Sequence, residues 1–173
     1  MLAALAPASI TYADNSNVTY DYLISSGFLC GIEPSECPAV AAADNGDKIY
    51  LSGEGDLSIH AKSASGSGTF THKNAAGDVL ASGTWEATKL LSFKSYGSAS
   101  AQGLPPAWEG GKAQILVNII VGGVVVHTGI LTVECVLGDK IPAGATEGVR
   151  LNVKDAINFN KDMGAIDLFI NTT

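Results

Sequence analysis

The fold class is indicated most clearly by the stretch Ile49-Tyr-Leu-Ser-Gly-Glu-Gly-Asp-Leu-Ser-Ile-His-Ala-Lys62, which we call the decisive stretch. Small or apolar residues alternate along it with polar ones. One face would carry Ile49, Leu51, Gly53, Gly55, Leu57, Ile59 and Ala61. Such a period of two is typical of a long antiparallel strand with one buried face. The glycines on that face allow the strand to bend, as a barrel or a tightly curled sandwich requires.

The residues that follow predict a hairpin. Residues 63–67 read as a turn, 68–74 as a strand, 75–78 as a second turn, and 79–87 as the returning strand. This pairing would place His72 opposite Ala81 and Phe70 opposite Gly83. An aromatic ring opposite a glycine packs well in a curved sheet.

A second hairpin is the most apolar part of the chain. Residues 113–121 and 124–137 are joined by Gly122-Gly123, a strong signal for a two-residue turn. Closing this turn predicts the pairs Val121–Val124, Ile119–Val126 and Asn118–His127. One face would carry Ile115, Val117, Ile119, Val124, Val126 and Ile130, and the other Leu116, Ile120, Val125 and Leu131. Because both faces are apolar, we expect this pair to be central, to face a cavity or to be covered by another molecule.

Short strand patterns complete the chain at 149–153, 157–159 and 165–170, and helix signals are nearly absent. Residues 97–111, rich in Ser, Ala, Gly and Pro, predict a long surface loop. The sequence therefore predicts an all-β fold, an antiparallel meander of about eight or nine strands forming a barrel or sandwich. We expect residues 14–173 to form a single all-β domain.

Composition narrows the class of protein. The chain has 173 residues, 46% of them hydrophobic and 16% charged, which suits one domain with a real core. The 20 glycines disfavour a helical bundle. A net charge of −7 argues against nucleic-acid binding, since such a surface repels phosphates. No apolar run predicts a transmembrane helix.

Residues 1–13 are small and apolar, and support three interpretations. They resemble the end of a secretory signal without its basic region, or a disordered alanine-rich tail. They also suit an extended arm that adds a strand to a neighbouring subunit, with Ala8, Ile10 and Tyr12 as its row of contacts. The last interpretation predicts a homo-oligomer or polymer.

The three cysteines favour an exported protein. Cys30 and Cys37 flank a short proline-containing loop suited to a disulfide, although Cys135 could pair with either of them. The chain contains no C-x-x-C motif, which argues against structural zinc, and we predict no metal and no cofactor. Two N-x-[ST] sequons, beginning at Asn17 and Asn171, fit export. We therefore expect a secreted or cell-surface location.

Two polar residues stand out on the apolar hairpin. If Asn118 and His127 face each other, they either satisfy one another or point into a cavity and hold a ligand. In a cavity, His127 would be the candidate acid or base. His60, His72 and His127 share no metal-binding spacing, and convergence with Glu86 or Glu134 would be needed to bind a metal.

Two further patterns carry weaker signals. Asp44-Asn-Gly-Asp47 predicts an Asx turn rather than a calcium loop, because it lacks the EF-hand spacing. Trp85, Trp108, Tyr50 and Tyr96 could form a sugar-binding platform if exposed together. Trp85 is expected in the core, which leaves Trp108 as the candidate exposed aromatic residue.

These observations leave three functional hypotheses. The first is an extracellular or cell-surface domain with a structural or binding role that self-associates. The second is a small β-barrel that binds or isomerises an apolar small molecule near Asn118 and His127. The third is a carbohydrate-binding module that uses Trp108 to contact a glycan.

Overall fold

The computed structural model describes residues 17–173, so the proposed contacts Ala8, Ile10 and Tyr12 lie outside the described residues. The described chain is mostly antiparallel β-structure. Its strands are β1 Thr19–Ile24, β2 Ala39–Ala43, β3 Lys48–Ser58, β4 Ser63–Lys73, β5 Val79–Ser98, β6 Trp108–Val121, β7 Val124–Cys135, β8 Gly148–Val153, β9 Asn158–Gly164 and β10 Asp167–Asn171. A short helix, α1 (Leu29–Ile32), and a 3₁₀ turn (Pro34–Glu36) lie between β1 and β2, and a second 3₁₀ turn (Ala99–Gln102) lies between β5 and β6.

Strands β2 to β9 form a closed ring of hydrogen-bonded neighbours. Each pairs antiparallel with the next along the chain, and β9 returns to pair with β2. This connectivity is that of an up-and-down barrel, and it confirms the predicted all-β antiparallel meander. At one end, the pair β1–β10 bridges the ring, because β1 also pairs with β3 and β10 with β6.

The core follows the alternation of the decisive stretch. Ile49, Leu51 and Leu57 are buried on the inner face of β3. Trp85 fills the centre of the barrel, and its indole Nε1 donates a hydrogen bond to the carbonyl of Ser52 at 3.2 Å. A Cβ on Gly53 would overlap this indole, so glycine at that position makes room for the largest core side chain.

Several strand boundaries differ from the sequence prediction. The decisive strand ends at Ser58, and residues 59–62 form the turn that was expected at 63–67. β4 begins at Ser63 and pairs with β3 along its whole length, because a polar Ser/Gly segment still supplies the backbone groups of a ladder. The predicted loop at 97–111 is shorter, since β5 runs to Ser98 and β6 begins at Trp108.

The first hairpin has its predicted partners, and the second does not. His72 pairs with Ala81 and Phe70 with Gly83, as predicted. In the β6–β7 hairpin the pairing Val121–Val124 is confirmed, but the register then shifts by one residue.

The shift changes the partners of both polar residues on the hairpin. Ile119 pairs with His127 and Asn118 with Thr128, so the predicted Asn118–His127 pair is wrong. The physical reason is a β-bulge on β7, which adds one unpaired residue and reverses the faces beyond it. Leu131 consequently lies in the core, whereas Ile130 is only half-buried.

The disulfide prediction is confirmed. Cys30 and Cys37 are bonded across the segment that contains α1 and the first 3₁₀ turn. Cys135, at the end of β7, is a buried free thiol. Within residues 17–173, no helix has the length and apolar character needed to cross a membrane.

Candidate functional site

A cavity opens at one end of the barrel, which we call the mouth. Because neighbouring strands of the ring alternate in direction, the turns β2–β3, β4–β5, β6–β7 and β8–β9 all lie at this end. The cavity has a volume of about 310 Å³. Its wall is largely apolar and includes two imidazoles; the residues that matter most are Ile49, Phe70, His72, Ile119, His127 and Phe159. The side chains of this barrel thus fill its centre but leave its mouth open to a small molecule.

His72 is the better fixed of the two imidazoles. Its Nε2 lies 3.0 Å from Oδ2 of Asp47, and both side chains are largely buried. The ring also meets Phe159 edge-on, with 5.1 Å between ring centroids. In a neutral imidazole, the bond to the carboxylate places the proton on Nε2 and leaves Nδ1 as an acceptor.

The turn that carries Asp47 is itself held by local hydrogen bonds. The backbone N–H of Asp47 donates to Oδ1 of Asn45 at 3.1 Å, which is the predicted Asx turn. The backbone N–H of Ala43 donates to the carbonyl of Asp47 at 2.8 Å. Asp47 therefore reaches His72 from a constrained turn and orients an imidazole that lines an apolar cavity, although Asp47 is not itself part of the cavity wall.

His127 lines the same cavity from β7, where the register shift turns it inward opposite Ile119. Unlike His72, it is exposed. Asn118 belongs to the alternate, outward row of β6 and does not line the cavity. The structure thus places one of the two predicted ligand-binding residues of this hairpin at the cavity.

An apolar rim lies along one side of the mouth. Val79, Leu80, Val124, Val125 and Val126 are each between 45% and 64% exposed. They come from the starts of β5 and β7, which lie at the same end because β5 and β6 are antiparallel. Exposed apolar side chains gathered in one region are characteristic of a surface that contacts a ligand or a partner.

The predicted aromatic platform is not assembled. Trp85 and Tyr96 are buried, Trp85 as expected. Trp108 is half-buried rather than exposed, because β6 begins there and its ring stacks on Phe28 with 5.4 Å between centroids. The structure therefore shows no flat exposed surface formed by these four rings.

Sequence reasoning missed the Asp47–His72 pair. The sequence predicts Asp47 in an Asx turn and His72 opposite Ala81, but no sequence pattern links the two residues. The link is the β3–β4 pairing, in which Ile49 lies opposite His72 and brings the preceding turn over the imidazole. The predicted turn at residues 63–67 conceals this link, because it would pair Lys62 with Gly68 and place His72 opposite Ser58.

Comparison with protein-family models, with curated proteins and with solved structures found no match to this chain. The function is therefore argued from the geometry of the molecule.

Proposed function

We propose that this protein is an exported β-barrel that binds a small apolar molecule carrying one polar group. The ligand occupies the mouth, and the Asp47–His72 pair holds its polar group. The observation that carries this proposal is the open cavity, in which an apolar wall includes an imidazole that the Asp47 carboxylate holds in place.

The size of the cavity selects small ligands. Ligand pockets in proteins range over roughly 300–1,000 Å³, and 310 Å³ lies at the lower end. A molecule with one or two rings, or a medium-length chain, suits this volume. Burial of its apolar surface would supply most of the binding free energy.

The polar groups of the mouth restrict the head group. A neutral His72 offers an acceptor at Nδ1, and the imidazole of His127 offers a second hydrogen-bonding group. A hydroxyl group suits such a pair because it both donates and accepts. If the ligand also undergoes proton transfer, His72 is the acid or base that the Asp47 carboxylate orients.

Export is part of the proposal. The Cys30–Cys37 disulfide is compatible with an oxidising compartment, where such bonds persist.

Binding of 2-naphthol tests the proposal, with naphthalene as the probe that lacks the hydroxyl group. We expect Ala81→Trp, which fills the cavity beside His72, to abolish binding of both probes. Ser82→Trp is the matched control because Ser82 is the next residue of β5 and faces outward. Absence of 2-naphthol binding, or equal binding by both variants, would refute the site.

The polar anchor has its own test. His72→Phe should weaken 2-naphthol binding by about tenfold and leave naphthalene binding nearly unchanged, since only the hydroxyl group loses a partner. His60→Phe is the control, because His60 is exposed in the turn after β3. An equal loss of affinity for 2-naphthol and naphthalene would show that His72 does not bind the hydroxyl group.

Self-association through the apolar rim is a second candidate function. In the described ring every strand has a neighbour on each side, so strand addition by an N-terminal arm finds no free strand there. The exposed valines instead offer an apolar contact to a second copy. A solution mass near 17.7 kDa, unchanged by Val125→Asp, would exclude this candidate.

A further inference from the structure

A second pocket, of about 350 Å³, lies at the end of the barrel opposite the mouth. β6 begins and β7 ends beside it. Its wall includes Leu29, which precedes the disulfide loop, Ile32 within that loop, Trp108, and Leu168 of β10. Three ionisable side chains of low exposure also line it; they are Cys135, Glu147 and Asp167. We call this the acidic pocket.

Glu147 is held in place by two backbone donors. The N–H of Val136 donates to its Oε2 at 2.5 Å, and the N–H of Asp167 donates to its Oε1 at 3.0 Å. Burial raises the pKa of Glu147 to about 7, although these two hydrogen bonds act in the opposite direction. The carboxyl group is therefore fixed in position and titrates near neutral pH.

Asp167 and Glu147 form the carboxyl pair of this pocket, and Asp167 differs from Glu147 in its hydrogen bonds. It is 3% exposed, and among residues 17–173 neither oxygen of its carboxyl group has a hydrogen-bond partner. Burial raises the pKa of this carboxyl group well above its usual range, and the charge of Glu147 adds to the effect. Buried polar groups are nearly always hydrogen-bonded, so two unpartnered oxygens on a residue of the pocket wall indicate that a donor is supplied from outside.

The charges around the acidic pocket all have one sign. Glu33 and Glu36 line it as well, and none of its lining residues is Lys, Arg or His. The nearby Arg150 is engaged elsewhere, with Asp162 and Glu134. A ligand that carries positive charge would thus meet acidic groups and no competing protein cation.

We propose that the acidic pocket is a second binding site, which takes the ammonium group of a small amphiphilic amine against Asp167 and Glu147 and its apolar part against Trp108, Leu29 and Leu168. The amine supplies N–H donors to the unpartnered oxygens of Asp167 and positive charge to the carboxyl pair. This site goes beyond the proposed function, because it shares no residue with the mouth.

An organic cation fits better than a metal ion. Across residues 17–173, no three His, Cys, Asp or Glu side chains converge as metal ligands. The wall is predominantly apolar, which suits a hydrocarbon body and would not replace the hydration shell of an inorganic ion. Burial also raises the pKa of Cys135, so its thiol stays protonated and adds no negative charge.

Calorimetric titration of the full chain with 2-phenylethylamine tests the proposal, and 2-phenylethanol is the uncharged probe of matched shape. Titrations at pH 6 in two buffers of different ionisation enthalpy count the protons released. We expect the amine to bind with release of protons from the carboxyl pair, and the alcohol to bind about tenfold or more weakly.

Asp167→Asn should weaken amine binding by about tenfold or more and leave 2-naphthol binding at the mouth unchanged. Asp155→Asn makes the same replacement of a carboxyl group by an amide in an exposed turn and should bind the amine like the unmodified protein. Failure of the amine to bind, equal affinity for the alcohol, or indifference to Asp167→Asn would each overturn the proposal. Because the probes and variants of the two pockets differ, failure of either site is told apart from failure of the other.

Discussion

The backbone N–H of Asp167 donates a hydrogen bond of 3.0 Å to the side chain of Glu147, so a residue that is itself almost fully buried also positions its acidic neighbour. The two carboxyl groups are therefore linked: the charge of Glu147 raises the pKa of Asp167, whereas the backbone N–H of Asp167 acts to lower the pKa of Glu147. Most acidic pairs in proteins sit beside basic residues, whereas this one faces an apolar pocket without any. The ionisation of this pair should therefore change the free energy of unfolding of the protein.

Stability should fall as the pH rises from about 4.5 to about 7. In this range the unfolded chain has released the proton of Glu147, while the folded chain retains it, because burial raises the folded pKa to about 7. The folded state then binds more protons, so the free energy of unfolding decreases with pH, by on the order of 3 kcal/mol for a shift of this size. Asp167 acts in the same direction. Thermal unfolding at about pH 5 and pH 8 measures the effect.

Asp167→Asn supplies the control for this pH dependence. An amide carries no charge, so the variant should lose less stability between pH 5 and pH 8 than the unmodified protein. It should also be the more stable of the two at pH 8, since no carboxylate has to be buried. Asp155→Asn should leave the pH dependence unchanged. A melting temperature that rises with pH in the unmodified protein would contradict the assigned environment of the pair.

Gly53→Ala should destabilise the fold by about 1–3 kcal/mol, the usual cost of adding a methyl group to a filled core. The added Cβ would meet the indole of Trp85 and the backbone of β4, and neither has free space to move into. Urea-induced unfolding measures the change. Gly31→Ala is the matched control, because no heavy atom outside its immediate chain neighbours lies within 4 Å of a Cβ built there. Equal stabilities of the two variants would show that the barrel centre is less tightly filled than described.

Much of the barrel could be predicted because its signals are local. Alternation along β3 reports which face is buried, and the glycine opposite Phe70 reports the pairing of β4 with β5. The register of β6 and β7 could not be predicted in the same way. A bulge depends on how strands fit around the closed ring, and the sequence near Val126 gives no separate sign of it.

The candidate sites were harder to predict, because their residues come from distant segments. His72 and Asp47 meet only through the β3–β4 pairing, and Glu147 meets Asp167 from a Gly- and Pro-rich connection without strand periodicity. One local signal was available. Asp167 interrupts the apolar run Ala165-Ile-Asp-Leu-Phe-Ile170, and an acidic residue in a buried strand indicates a functional group or a buried partner.

Tyr96→Phe should lower the free energy of unfolding by about 1.5–3 kcal/mol, the usual contribution of a hydrogen bond to a charged group. The hydroxyl of buried Tyr96 donates to Oε1 of Glu134 at 2.7 Å, and Lys112 and Arg150 contact the other oxygen. Removing the hydroxyl would leave a buried carboxylate oxygen without this donor. Urea unfolding at pH 7 measures the loss, and Tyr50→Phe, on a half-buried ring beneath Lys73, is the control.

The stability contributed by the Tyr96–Glu134 hydrogen bond should depend on pH in the opposite sense from that of the acidic pocket. Burial alone would raise the pKa of Glu134, but the hydrogen bonds from Tyr96 and Lys112 and the charges of Lys112 and Arg150 lower it overall. The stability that Glu134 contributes is therefore present at neutral pH and is lost as the pH falls through its lowered folded pKa. Tyr96→Phe and the unmodified protein should converge in stability at low pH. A difference that stays constant down to pH 2 would assign the effect of Tyr96 to packing.

Replacing both Cys30 and Cys37 by Ser should affect the acidic pocket more than the mouth. The disulfide closes a short loop, which in the chain-entropy model contributes about 2–3 kcal/mol, and that loop carries Ile32, Glu33 and Glu36 of the pocket wall. Without the bond, the wall has to be ordered when a ligand binds, so affinity for 2-phenylethylamine should fall. Affinity for 2-naphthol should not change, because the mouth lies at the other end of the barrel. Calorimetry on the double variant checks both values, and an equal loss at the two sites would mean that the disulfide stabilises the whole barrel rather than this wall.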